Sequence, residues 1–358
     1  MRFTCILAFF AISVSFLSIT LAFSKTFPVD TDASCFTAMC HNGFGKKKFL
    51  HEPASEGDEC TSCHEAVKEG SHSFQLAAEG KELCFQCHEE EKFQGKAVHE
   101  PVSEGECTSC HSPHQSDNPK QLLAPPNKEI CFQCHEEEGF EGKTVHGPVA
   151  EGKCISCHSP HASNNPKQLL KPVPELCFTC HNVPRKDASG KKIPPISPLF
   201  YNKGGKLHMP FKEGKCLSCH FPHGSNNHRL LVREYPSNFY SAYSEKAYSL
   251  CLECHGKMKK VLREPNTETD TDFRNGDLNL HYRHVSRIKG RTCRACHHHH
   301  GSSNEKLIRE EFQFGERMLQ LQYEKLDKGA RCAPVCHMKV EYDRENPKAI
   351  IMKTSPIK

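Results

Sequence analysis

Tryptophan is missing from this chain, and only 37% of its 358 residues are hydrophobic even with the cysteines counted in. Mean hydropathy is −0.62. Ordinary domains bury about three quarters of their chain surface against their own side chains, and this polypeptide is short of the apolar material to do so. Past the first two dozen residues no stretch is apolar enough to span a bilayer. A surplus of one charge is missing too. The 47 Lys and Arg nearly balance the 43 Asp and Glu, leaving +4, and nothing in that distribution argues for nucleic acid. Strand alternation is weak throughout. The clearest helical pattern covers 304–328, with Leu307, Ile308, Phe312, Phe314, Met318, Leu319 and Leu321 among charges.

Cysteine followed by histidine is what the chain has in abundance. Nine Cys-x-x-Cys-His sites occur: Cys60/Cys63/His64, Cys84/Cys87/His88, Cys107/Cys110/His111, Cys131/Cys134/His135, Cys154/Cys157/His158, Cys177/Cys180/His181, Cys216/Cys219/His220, Cys251/Cys254/His255 and Cys293/Cys296/His297. Two stretched versions, Cys35/Cys40/His41 and Cys332/Cys336/His337, keep the terminal Cys-His. C-x-x-C-H is the attachment signature of c-type haem. The two thiols add to the porphyrin vinyl groups, and the next residue is placed to ligate the iron from its proximal side. Eleven sites use 22 of the 23 cysteines, leaving only Cys5. Zinc ribbons also use paired cysteines, and small exported proteins use disulfide frameworks, but neither needs a His after every second cysteine.

The segment 1–24 has a basic start at Arg2, an apolar stretch from Phe3 to Phe23, and small residues at Ala22 and Ser24. This is the pattern of a secretory signal peptide, with an uncleaved N-terminal anchor as the alternative. Export suits the chemistry, because c-type haem is attached outside the cytoplasm. The remaining residues, shared among eleven haems, leave roughly 30 per haem. The porphyrins must then supply the apolar interior. With both propionates of each bis-ligated haem ionised, the +4 polypeptide becomes about −7 when oxidised and about −18 when reduced.

The sites recur in pairs. The segment from His99, VHEPVSEGECTSCHSPHQSDNPKQLL…EICFQCH, repeats from His146 as HGPVAEGKCISCHSPHASNNPKQLL…ELCFTCH. A related unit runs from His51 to His88, and looser ones from His208 to His255 and from His284 to His337. The expected organisation is a leader at 1–24 and a single-haem segment at 25–50. Two-haem units follow at 51–95, 96–142, 143–207, 208–280 and 281–337, the third and fourth ending in linkers, and the tail is 338–358.

Fourteen histidines are spare once the proximal ones are set aside, and in the repeats they fall at fixed offsets. His99, His146 and His208 lie eight residues before a first cysteine, and His51 and His284 nine before. His114, His161, His223 and His300 lie three after a proximal His, and His72 lies eight after His64. Two haems and two spare histidines per unit is the stoichiometry of bis-histidine ligation. The first haem has no spare His at either offset. His228, His281, His298 and His299 remain as candidates for it, with His281 preferred. Each of these four, taken singly, reads as an ordinary surface or hydrogen-bonding histidine. Met39 and Met338 read as packing residues.

On the GECTSCHSPH and LCFxCH pattern, nearly all of the chain after the leader resembles the doubled-CXXCH family of multihaem c-type cytochromes. The resemblance implies a haem-dominated fold with little regular secondary structure. Short α-helices and loops would wrap a chain of stacked c-type haems, with almost no β. It implies an electron carrier of the periplasm, the outer membrane or the cell exterior. Its partners would be other redox proteins: a quinol-oxidising membrane complex, further cytochromes, a barrel protein, or copies of itself. With both faces of every iron ligated, one-electron exchange is the chemistry left, so an enzyme is not expected. Two alternatives stand beside this one. One is a reductase of a small nitrogen or sulfur oxyanion acting at an open first haem, although no CxxCK occurs. The other is the protomer of an extracellular cytochrome filament.

Overall fold

The computed structural model describes residues 41, 43–55, 59–68, 72–187, 189–202, 204–334 and 337–349. The leader, Cys35, Cys40 and Cys336 lie outside these.

The repeated sequence makes a repeated chain path. Proline in the first turn starts one-turn helices at Glu100–Ser103, Gly147–Ala150 and Met209–Lys212. Each stops at a left-handed glycine. Gly152, with φ +69°, is the clearest case, because a Cβ there would sit 3.0 Å from the backbone nitrogen of Lys128. The first attachment site of each unit then forms a tight 3-10 turn: Cys107–Ser109, Cys154–Ser156, Cys216–Ser218 and Cys293–Ala295. The second lies on or just after a short helix: Lys81–Phe85, Lys128–Cys131, Glu175–Phe178 or Ser249–Leu252. The Asn127 side chain caps the second of these by accepting from the Glu129 amide at 2.7 Å.

Units are joined by two-residue antiparallel ladders that connect each to the next. Phe49–Leu50 pairs with Gln115–Ser116, and Ala97–Val98 with Ala162–Ser163. Thr144–Val145 pairs with Gly224–Ser225, and Lys206–Leu207 with Gly301–Ser302. The chains approach too closely for a side chain at Gly224, where a Cβ would lie 2.3 Å from the carbonyl oxygen of Glu141.

Among the described residues, every fully buried hydrophobic side chain lies at or beyond Phe178. The small core there joins Tyr248, Leu252, Leu262 and Val285. Among the described residues, the N-terminal half has no core of its own, as the composition implies. No helix among the described residues is long and apolar enough to cross a membrane.

Two expectations are corrected. The helix expected over 304–328 is absent. Glu311–Phe314 instead forms an antiparallel hairpin with Arg317–Gln320, and Tyr323–Lys325, Gly329–Cys332 and Val340–Asp343 make a three-stranded sheet. Gly315, at φ +58°, turns the hairpin. The register pairs Phe312 with Leu319 and Phe314 with Arg317, so strand pairing wins over the helical spacing, with Phe312 the one buried side chain of Glu311–Phe314. The stretch expected as a linker after His181 is partly ordered. Arg185–Lys186 pairs with Lys192–Ile193, and Phe200 on the following short helix packs against Phe178 and Phe211.

Candidate haem sites

The attachment turns bring the two cysteines and the histidine of a site to one side of the chain. In eight of the nine regular sites the histidine amide donates to the first cysteine's carbonyl, at 2.9–3.1 Å, in an α-type turn. His111, His158, His220 and His297 then donate or share Nδ1 with the carbonyl oxygens of Lys120, Lys167, Arg229 and Lys306, at 2.9, 2.9, 3.1 and 2.8 Å. With Nδ1 so held, Nε2 is left to face a metal, which is how ligating histidines are ordinarily oriented.

The attachment thiols are not all sheltered by the polypeptide. Cys87, Cys134, Cys180 and Cys254, the second cysteines of the second sites, are exposed, whereas their partners Cys84, Cys131, Cys177 and Cys251 are half-buried. The reason is local. Each exposed cysteine comes just past the end of its short helix, and the Cys87 amide donates to the Cys84 carbonyl at 3.2 Å in a turn that faces solvent. The polypeptide therefore does not enclose Cys87 as an apolar site would, and cover for that edge falls to the group the thiol carries.

The imidazoles face one another in pairs. Second-site histidines meet the spare histidine at the start of their own unit: His88 with His51, His135 with His99, His181 with His146 and His255 with His208. The ring centroids are 6.0, 6.0, 6.2 and 6.0 Å apart. First-site histidines meet a spare histidine from the following unit: His64 with His114, His111 with His161, His158 with His223 and His220 with His300, at 6.0, 6.1, 6.0 and 6.3 Å. The ladders bring the two kinds together. The amides of His51, His99, His146 and His208 donate to the carbonyls of His114, His161, His223 and His300, at 2.8–2.9 Å. The ligands facing both sites of one unit thus sit side by side, one from that unit and one from the next.

Two further pairs extend the set. His41 faces His72 at 5.8 Å, and His297 faces His281 at 6.4 Å. This corrects two sequence expectations. His281 does not reach the first site, because it is held beside His297 with its Nδ1 2.8 Å from the Thr271 hydroxyl. His72 does reach it. The first site occupies the place of a first site in a unit before the first, and His72 reaches back to it as His114 reaches back to His64. His284 lies near enough to His337 to feel its charge, and each shares Nδ1 with a carbonyl, those of Leu280 and Met338, at 2.7 and 2.6 Å. Met338, expected to pack, has an exposed side chain and contributes that carbonyl.

This geometry suits an iron with two axial imidazoles. Metal–nitrogen bonds of about 2 Å on both sides place two ring centroids roughly 6 Å apart. A zinc ribbon needs four ligands converging, and among the described residues no three His, Cys, Asp or Glu side chains do so. Burial disfavours the protonated form of several of these imidazoles. It pushes His281 and His300 down to about 3 and His284 to about 4, helped by the positive charge of nearby histidines or arginines. Exposed Leu123 and Leu170 lie at matching repeat positions, each with its amide on the second cysteine's carbonyl, and offer the apolar surface that a porphyrin face covers.

Successive attachment sites adjoin one another. The Cys84 thiol is within hydrogen-bond reach of Cys107, Cys131 of Cys154, Cys177 of Cys216, and Cys251 of Cys293. Burial, reinforced by the neighbouring thiol, pushes Cys84 and Cys131 up to about 11. Within units, Cys84 feels Cys63, Cys110 feels Cys134, Cys157 feels Cys180, Cys219 feels Cys254 and Cys296 feels Cys332. The sites therefore follow one another in sequence order.

Of the remaining spare histidines, His228 gives Nε2 to the Tyr235 carbonyl at 2.8 Å. His298 accepts from the amides of His300 and Gly301, and His299 stacks on His298. All three have structural work. Sequence reasoning missed a set of aromatic clamps. Phe44, Phe93, Phe140 and Phe211 pack against His114, His161, His223 and His300, at centroid distances of 4.6–5.1 Å. The recurrence of Phe two residues before Gly-Lys, in FQGK and FEGK, is the signal that could have found two of them.

The doubled CXXCH motif family matches the chain four times, over residues 51–93, 99–140, 146–186 and 208–260, which together make half of its length. Comparison with curated proteins finds no match.

Proposed function

The chain belongs to the doubled CXXCH motif family of multihaem c-type cytochromes, and from that premise we propose that it is an exported electron relay with eleven bis-histidine haems. Its CXXCH motifs bind haem c covalently, and its class of activity is electron transfer. Haem, when bound, supplies one-electron exchange, at a lower potential with two imidazoles than with a Met/His pair.

The observation that carries the reading is the facing of imidazoles in twos along the whole described chain. With haem bound, the facing imidazoles would hold it from both sides, and the adjoining of successive sites would keep the tunnelling gap short. The stretched sites at His41 and His337 carry haem in this reading, since His41 faces His72 and His284 lies near His337. The pairing of His41 with His72 supports a closed first site and counts against an oxyanion reductase. Ten facing pairs lie within the one chain, which counts against a neighbouring protomer as the source of their ligands. The leader-like segment 1–24 and the need for extracytoplasmic attachment support export. The route then runs from a membrane quinol-oxidising system, through other redox proteins, to an outer-membrane or extracellular acceptor.

Pyridine haemochrome content against protein mass, with electron paramagnetic resonance of the oxidised native protein, tests this. Eleven haems, all low-spin, are expected. Nine haems would remove the stretched sites, and a persistent high-spin signal with nitrite turnover would replace the relay with a reductase.

A further inference from the structure

Four basic residues occupy one unusual place in the repeat. Lys120, Lys167, Arg229 and Lys306 all adopt left-handed backbone conformations, with φ between +52° and +57°, and the residue after each does too. Side chains with a Cβ avoid this region, and glycine or asparagine would hold the turn with less strain. The paired turn has a backbone purpose. The carbonyl of the basic residue takes the proximal histidine's Nδ1, and the carbonyl of the next residue accepts from the amide just after that histidine, at 2.7–2.8 Å. None of that needs a cation, yet the chain places one there four times.

The side chains point to a second purpose. Lys120 is bonded through its backbone to His111, whose ring faces His161 at 6.1 Å. Lys167 stands in the same relation to His158, which faces His223, and Arg229 to His220, which faces His300. A residue anchored to one imidazole of a facing pair stands beside the gap between the two rings. Lys306 takes the same backbone role at His297, but its ammonium faces Asp272 at 3.9 Å. The first unit has no cation at this position. The Ala77 amide on the Cys63 carbonyl matches that of Leu123 on Cys110, which puts Phe74 in the place of Lys120.

We propose that Lys120, Lys167 and Arg229 are rim cations that pair with a haem carboxylate at the first site of their own unit and raise the potential of that haem. This rests on haem occupying those sites as argued above. The ligand chemistry is a carboxylate or similar oxyanion, and the porphyrin's own propionate is the source assigned. Pairing a propionate with a cation offsets negative charge near the iron and so favours the ferrous form.

The test uses full-length holoprotein in three forms: wild type, Lys120→Gln/Lys167→Gln/Arg229→Gln, and Lys120→Arg/Lys167→Arg. Haem content and the low-spin spectrum report on ligation, and spectroelectrochemical titration reports on the cations. With haem content and spin state unchanged, the part of the curve belonging to three haems should move to lower potential in the Gln variant. The Arg variant should keep the wild-type curve. A Lys120→Gly/Lys167→Gly/Arg229→Gly variant, which relaxes the turn, should shift as the Gln variant does. An unmoved Gln curve overturns the proposal, as does a Gly variant that titrates like wild type. High-spin haem in the Gln variant alone would assign these residues to the turn and overturn it as well. A wild-type curve that moves when phosphate replaces chloride at equal ionic strength, in a way the Gln variant lacks, would assign the cations to a solution anion. Wild-type protein lacking low-spin haem would instead refute the underlying reading.

Discussion

Replacing His161 with alanine separates the two ways in which the spare histidines could be distributed. His161 lies three residues after His158, inside the unit that carries Cys154 and Cys157, but its ring faces His111 of the unit before. The 6.1 Å between those centroids holds two metal–nitrogen bonds of about 2 Å, so deleting one ring leaves an opening of roughly 3 Å on the distal face. That is room for one diatomic ligand. The His99 amide bond to residue 161 and the Val98–Ala162 pairing are main-chain interactions, so the junction should persist. One haem per chain should turn high-spin and, once reduced, bind one equivalent of carbon monoxide. Its location can be read by adding Cys107→Ala/Cys110→Ala, which removes the haem of the preceding unit. In that background His161→Ala should add no carbon monoxide binding. With Cys154→Ala/Cys157→Ala instead, it should still add one equivalent. The reverse pattern would refute the cross-unit pairing.

His72→Ala should open the haem at Cys35 and Cys40, adding one high-spin signal, while His281→Ala should leave that haem low-spin; the signals can be assigned in Cys35→Ala/Cys40→Ala. Gly152→Ala should cost about 1–2 kcal/mol, because φ is +69° and the Lys128 backbone is 3.0 Å from the added Cβ; an unchanged melting temperature would refute this. On acidification the depressed pKa values of His281, His284 and His300 mean that the folded state binds fewer protons than the unfolded state. Their stabilising contribution is whole above the unfolded value of 6.5 and declines as the pH falls toward the folded values of about 3–4. The melting temperature should therefore fall between pH 7 and pH 5 while the low-spin spectrum stays unchanged.

Much of the site was legible because haem attachment is written locally. Cys-x-x-Cys-His needs only five consecutive residues, and the spare histidines recur at constant offsets. The scarcity of a core was legible from composition. The pairing was not, because offsets give a histidine's place in its own unit and not the direction it faces. His114 reaches back to His64 only because the Leu50–Gln115 ladder carries it there, and two-residue ladders leave no periodic trace in the sequence. His72 belonged to the same pattern but was displaced by an insertion, which hid its relation to His41. The exposure of Cys87 beside half-buried Cys84 was equally hidden, since the motif spells both thiols alike and only the helix end separates them. Over 304–328 the apolar residues fit both helical and alternating spacing, and the turn at Gly315 decided between them.

The cross-unit ladders also set how such a chain can lengthen. Each unit finishes the one before it and leaves its own first site to be finished by the next, like overlapping tiles in a row. Cutting at equivalent points therefore preserves the row: removing residues 99–145 would bring His146 into the place of His99 and His161 opposite His64. Two haem sites would be lost and every survivor would keep its partner. A cut displaced by half a unit would strand a histidine on each side of the join. During synthesis the same overlap imposes a lag, because His111 has no opposing ring until the chain has reached His161. The last two-haem unit supplies His281 from its own lead-in helix.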